Sequence, residues 1–123
     1  MAFVQRHVVS VTTDGDGNAT AYTAEPVSGF VAALAYVKTD FADGVDFTVT
    51  TEATAQQLWR EDDVNASKTI YPRPQVHNTV GVALTLDGAN IATDRAPAAN
   101  ERIKIVIAQG GATKTGTFHV YVG

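Results

Sequence analysis

Several groups of residues in this chain could do chemistry, and each sits in a pattern that argues for a plainer role. Asp14-Gly-Asp-Gly-Asn18 has the oxygen-rich opening of a calcium loop. An EF-hand loop also needs a bidentate Glu at its twelfth position and a helix on either side. That position is Glu25, backed by Pro26, and the intervening Thr20 and Tyr22 read as strand. The segment therefore reads as a hairpin turn, in which Gly and Asn accept positive φ and Asp caps its own backbone. His7, His77 and His119 lie on separate segments without His-x-His or His-x-x-x-His spacing, so no metal site is expected. His119 falls at the polar phase of Phe118, Val120 and Val122, which suits a surface or interface residue.

Glu61-Asp62-Asp63 offers carboxylates, but a glycosidase pair must be set across a cleft by two separate elements. Three acids in a row read as a solvated loop. Ser10, Ser28 and Ser67 occupy no nucleophile-elbow motif. Gly110-Gly111 falls in a hairpin rather than between a strand and a helix, which argues against a phosphate loop. Cysteine is absent, which excludes disulfides, Cys-ligated metal and thiol catalysis. No catalytic residue, metal or cofactor is therefore expected.

Trp59 is the sole tryptophan. Exposed on a β-sandwich, and joined by Tyr22, Tyr36 and Tyr71, it could form the platform of a carbohydrate-binding module. Buried, it is core or subunit interface, the reading taken here. The net charge is −4, and the nine basic residues are dispersed from Arg6 to Lys114. That pattern does not suit nucleic acid, which requires a basic stripe, or anionic lipid. No run of apolar residues is long enough for a membrane span. The first residues lack the basic and apolar regions of a signal peptide, so folding in a cytoplasm is expected.

The elements that would position these residues are strands. Apolar and polar side chains alternate over Val45–Thr51, Glu101–Gln109 and Thr117–Gly123, while Phe3–Thr13 reads as a strand with both faces partly apolar and Ala19–Ala24 as a short second strand. Phe30–Lys38 is alanine-rich, but its length and β-branching favour a buried strand. Gln56–Arg60 and Lys68–Tyr71 read as short strands, and Val80–Leu86 is strand-like. Glu61–Ser67 and Asn90–Asn100, the latter around Pro97, read as loops. The final 23 residues read as a β-hairpin whose second strand ends the chain. Ile103, Ile105, Ile107, Phe118, Val120 and Val122 are its expected buried set. The whole predicts a single all-β domain over 1–123, an antiparallel sandwich or barrel of about eight strands with little helix.

Several stretches resemble a group of small proteins encoded among the head genes of tailed bacteriophages. They are Asp40-Phe-Ala-Asp-Gly-Val-Asp-Phe-Thr-Val-Thr50, Trp59, Asp63-Val-Asn-Ala-Ser67, Arg102-Ile-Lys-Ile-Val-Ile-Ala-Gln-Gly-Gly111 and Thr113-Lys-Thr-Gly-Thr-Phe-His-Val-Tyr-Val-Gly123. The resemblance implies a non-enzymatic virion protein, with capsid decoration, or cement, as its leading role. Its partners would be the major capsid protein and further copies of itself, as a trimer or other homo-oligomer. It would be made in the host cytoplasm and reside on the capsid surface. A head–tail connector or tail component is the alternative within the virion. The first interface candidate is an N-terminal arm with Phe3, Val4 and Arg6, of which Phe3 and Val4 are apolar groups near a free end. The second candidate is the segment bearing Trp59 and Arg60, residue types enriched at interface hot spots. A rival role for Phe3 is to fill the protein's own core.

Overall fold

The computed structural model describes residues 3–123. Its strands in chain order are β1 (Gln5–Thr12), β2 (Ala19–Tyr22), β3 (Val27–Lys38), β4 (Val45–Thr51), β5 (Gln57–Val64), β6 (Lys68–Ile70), β7 (Ala96–Glu101), β8 (Ile103–Ala108) and β9 (Thr115–Val122). Among the described residues there is no helix, and every strand pairing is antiparallel. One sheet runs β1-β9-β3-β6, with β7 also paired to β3; the other runs β2-β8-β4-β5. The fold is all-β and sandwich-like, and the sheets do not close into a barrel.

Period-2 alternation puts one side of each strand into the space between the sheets. Val9, Val11, Leu34, Tyr36, Phe118, Val120 and Val122 enter it from the first sheet. Val45, Phe47, Val49, Trp59, Ile103, Ile105 and Ile107 enter from the second. The two sets meet in an aromatic cluster. Phe47 lies edge-on to Phe118 at 5.1 Å and to Trp59 at 4.6 Å, and Tyr36 is 5.2 Å from both Phe47 and Phe118. Such pairs add packing specificity to the area they bury.

The expected terminal set is buried: each of its six residues is at most 3% exposed. The expected hairpin, however, does not form. β8 pairs with β2 and β4, whereas β9 pairs with β1 and β3, so residues 109–114 carry the chain from one sheet to the other. Two strands with one apolar face each can bury those faces side by side or across a sandwich, and alternation is identical in both cases. Tight packing at the crossing favours the second. A Cβ at Gly116 would collide with the Phe41 ring, and one at Gly110 would lie 2.9 Å from a Thr13 methyl.

Three further boundaries differ from expectation. β5 continues through Glu61-Asp62-Asp63 instead of ending at Arg60, because it is an edge strand whose outer positions face solvent. A bulge there lets Asp63 adopt φ 59° and donate its N–H to the Asp46 carboxylate at 2.8 Å. Ala96–Glu101 is a strand and not part of a loop; Pro97 fits because β7 pairs only with β3. Val80–Leu86 alternates as a strand does, yet it joins neither sheet.

Candidate protein-interaction surface

Between β6 and β7 the chain leaves the sandwich and returns. β6 lies along Leu34–Tyr36 of β3 and β7 along Val27–Val31 of the same strand, so the excursion begins and ends at one sheet edge. In the gap between those pairings the Arg73 guanidinium donates to the Ala32 carbonyl at 3.3 Å. The base of the arm is pinned where the Asp94 N–H donates to the Pro74 carbonyl at 3.2 Å.

Within this arm three short segments bond in a closed ring. The Leu84 N–H donates to Val76, the Val76 N–H to Ala92 and the Ala92 N–H to Leu84, at 2.9, 2.9 and 3.2 Å. Single bridges Gln75–Thr93, His77–Ala83 and Thr85–Ile91 flank that ring. Two side chains build the turns between segments. Asn78 Oδ1 accepts the Val80 and Val82 N–H groups at 3.0 Å. Asp87 Oδ1 accepts the Asn90 and Ala89 N–H groups at 2.8 and 3.0 Å. Gly81 and Gly88 supply the positive φ that these turns need. Donation from Asn90 above all holds the Asp87 carboxyl below its ordinary range, so the arm tip keeps a negative charge.

The backbone is thus satisfied internally, while the side chains are not covered. Val80 is 79% exposed, Leu86 77%, Val82 57% and Ile91 53%. From Pro74 to Thr93 the only Asp, Glu, Lys or Arg is Asp87. Large exposed apolar side chains gathered on one nearly uncharged projection make this segment the candidate contact surface.

Further exposed apolar side chains lie at the opposite edge of the same sheet, on β1 and in the two residues before it. Phe3 is 68% exposed, Val4 58% and Val8 51%, so Phe3 does not fill the core. The chain is nonetheless held there: a Cβ on Gly123 would stand 2.8 Å from both the Phe3 carbonyl oxygen and the Val4 Cα. Arg6 is exposed in this area, opposite Tyr121 of β9, and has no ion-pair partner among the described residues.

The other expected site residues are placed differently. Trp59 and Arg60 are neighbours on β5. Trp59 is buried at 6% exposure, with its indole N–H donating to Glu61 at 3.2 Å, while Arg60 is exposed opposite Thr48. The four aromatics proposed for a sugar platform do not share a surface. Trp59 and Tyr36 are core, Tyr22 on β2 lies under the Arg102 guanidinium at 4.1 Å, and Tyr71 follows β6 in the other sheet.

Asp14 to Asn18 forms a turn, with Asp14 Oδ1 accepting the Asp16 and Asn18 N–H groups at 2.9 and 3.0 Å. Beside it, Ala19, Thr20 and Val106 to Ala108 line an open groove of about 320 Å³. Glu61 accepts both the Trp59 indole and the Lys68 ammonium, the latter at 2.9 Å, and its carboxyl is held below the usual range chiefly by Lys68. Among the described residues no three His, Asp or Glu side chains converge as metal ligands would.

The apolar arm is the feature that sequence reasoning missed. Its alternation looked like an ordinary strand; the available signal was a run of exposed-type turns around β-branched residues almost without charge. No family model, curated protein or solved structure matches the chain.

Proposed function

We propose that this chain is a non-enzymatic structural protein of a tailed-phage virion, which decorates and stabilises the capsid by binding the outer surface of the major capsid protein. One observation carries the reading: a β-sandwich that holds an apolar arm, residues 75–93, with Asp87 as its one acidic or basic side chain besides His77, away from its own core. The resemblance to phage head proteins supplies the partner. A cement protein must bridge subunits without deforming, and an arm pinned at its base on a packed sheet edge suits that task. Specific contacts of this kind bury about 1,600 Å² in total, and repetition over a symmetric shell multiplies a modest affinity.

Co-sedimentation with expanded, undecorated capsids tests this. Wild-type protein should pellet with capsids, and a variant with residues 75–93 replaced by a short Gly-Ser linker should fold but stay in the supernatant. Copy number per particle separates the roles within the virion: hundreds for cement, about six to twelve for a connector or tail ring. Protein that never binds cognate capsids yet occurs in the tail would reject decoration in favour of the connector or tail role.

A further inference from the structure

We propose that the outer face of the first sheet is a second docking surface, and that it takes an acidic, partly apolar patch on the outside of the major capsid protein. Naming that partner rests on the reading above; the chemistry of the face does not.

The register of the sheet defines the face. Alternation turns Val9, Leu34, Tyr36, Phe118 and Val120 into the core, so the residues between them point outward. Arg6 pairs with Tyr121 and Tyr121 with Ala33, while Val8 pairs with His119 and His119 with Ala35. Two outward rows thus cross β1, β9 and β3. In their middle the His119 and Tyr121 rings stack at 6.4 Å. Past the bulge in β3, Phe30 extends the face toward β7, and the Arg95 guanidinium lies 4.6 Å over its ring. The middle of the face is therefore apolar and aromatic. Each rim carries one arginine, Arg6 on the β1 side and Arg95 on the β7 side.

Charge decides the partner. The net charge of −4 would repel an acidic surface if it were evenly spread, and it is not. Residues 45–64, which are β4, β5 and the turn between them, hold five acids against one base. β1, β3, β6 and β9 hold no Asp or Glu. The one acid of β7, Glu101, is buried and bonded to the Ala53 and Thr54 N–H groups. Asp94, beside Arg95, has its carboxylate on the Arg95 backbone N–H at 2.7 Å. Neither Arg6 nor Arg95 makes an ion pair among the described residues. Both stand against apolar side chains, Arg95 over Phe30 and Arg6 between the exposed Val4 and Val8. A carboxylate docked there gains charge-assisted hydrogen bonds from a planar guanidinium in a setting poor in water. The acids of the second sheet repel the same partner, so charge orients the protein with its first sheet toward it. The arm leaves by the β6/β7 edge and keeps its own surface free.

Two measurements test the proposal, with Arg6→Glu/Arg95→Glu as the face variant. The control is Lys104→Glu/Lys114→Glu, which changes the net charge equally, on β8 of the second sheet and in the segment between the sheets. Both variants should keep the wild-type far-UV spectrum. The first measurement needs no capsids: amide NMR spectra are recorded with a synthetic peptide of alternating Glu and Val. At low salt this peptide should shift the signals of Arg6, Ala33, His119 and Tyr121, and a counterpart of alternating Lys and Val should not. The face variant should lose those shifts and the control should keep them. Shifts confined to other surfaces, or equal shifts with the basic peptide, would overturn the proposal. The second measurement is co-sedimentation with cognate capsids. Wild-type binding should weaken as salt rises. The face variant should bind about a hundredfold more weakly, roughly tenfold for each arginine, and the control should stay within about threefold of wild type. Equal capsid affinity of the face variant and wild type would overturn the proposal and leave decoration standing. Peptide shifts as described, without any capsid binding, would support the face and overturn only the decoration role.

Discussion

Tyr36 carries a hydroxyl into the aromatic cluster and finds no protein partner for it. Burial pushes the phenol pKa up to about 12, with the negative charge of Asp43 adding to the effect. A buried, unpaired hydroxyl costs stability, so Tyr36→Phe should raise folding stability by about 1 kcal/mol in urea unfolding. A clear loss would show that the hydroxyl is bonded in solution. Glu101 is the opposite case. It is 8% exposed, and its carboxylate accepts the Ala53 and Thr54 N–H groups at 2.9 and 3.1 Å and the Thr54 hydroxyl at 3.3 Å. Desolvation pushes its pKa up, but these bonds outweigh that and leave the carboxyl below the usual range. Glu101→Gln should destabilise by about 1–3 kcal/mol at pH 7, since bonds to a charged acceptor are the stronger kind. The loss should shrink on acidification; an equal loss at pH 7 and pH 3 would mean that charge is not the cause.

At the scale of elements, β8 is a central strand with two unlike faces. Ile105 is fully buried and Val106, next to it, is 38% exposed. Ile105→Ala should cost roughly 2–5 kcal/mol, while Val106→Ala should stay within about 0.5 kcal/mol. Similar costs at the two positions would contradict the assigned inner face. The arm is separable from the sandwich. None of residues 75–93 belongs to the core cluster, and Pro74 and Asp94 are already hydrogen-bonded across its base. Replacing 75–93 by a short linker should therefore preserve cooperative unfolding and change stability by less than about 1 kcal/mol, because shortening a loop alters closure entropy only slightly. A molten or non-cooperative product would show that the arm helps hold the sheets together.

For the whole molecule, pH couples to folding through several carboxylates held in the charged form. Asp14, Asp40, Glu52, Glu61, Asp87 and Glu101 all have lowered pKa values, caused mainly by donated hydrogen bonds. Two of these involve arginine or lysine, Arg102 with Glu52 and Lys68 with Glu61. A carboxylate with a depressed folded-state pKa binds more protons when unfolded, so its stabilising effect is complete above its ordinary value, 3.8 for Asp and 4.5 for Glu. It is lost as pH falls through the lower, folded-state value. Melting temperature should be level from pH 7 to about pH 5 and fall steadily below about pH 4. A melting temperature that rises on acidification over that range would contradict the assignment.

Local interactions made much of this protein readable from its residues alone. Alternation identified the inward sets of β4, β8 and β9, because a strand's side-chain period is a property of its backbone. Asp14-Gly-Asp-Gly-Asn18 was readable as a turn, because Asp14 caps N–H groups only two and four residues away. What each strand lies beside was not readable. β8 and β9 have patterns that suit a hairpin equally well, and their separation into two sheets rests on distant residues such as Phe41 packing against Gly116. The acidic second half of β5 and the proline-bearing β7 read as loops because at a sheet edge solvent and not a neighbouring strand sets the composition. Nothing local to Glu101 signals its burial, since the N–H groups it accepts belong to a turn about fifty residues earlier. Trp59 and Val80 make the contrast sharpest. Both are apolar residues in segments that read as strand, yet one is 6% and the other 79% exposed. Hydrophobicity states that a side chain gains by being covered; only the tertiary arrangement decides whether the chain itself supplies the cover.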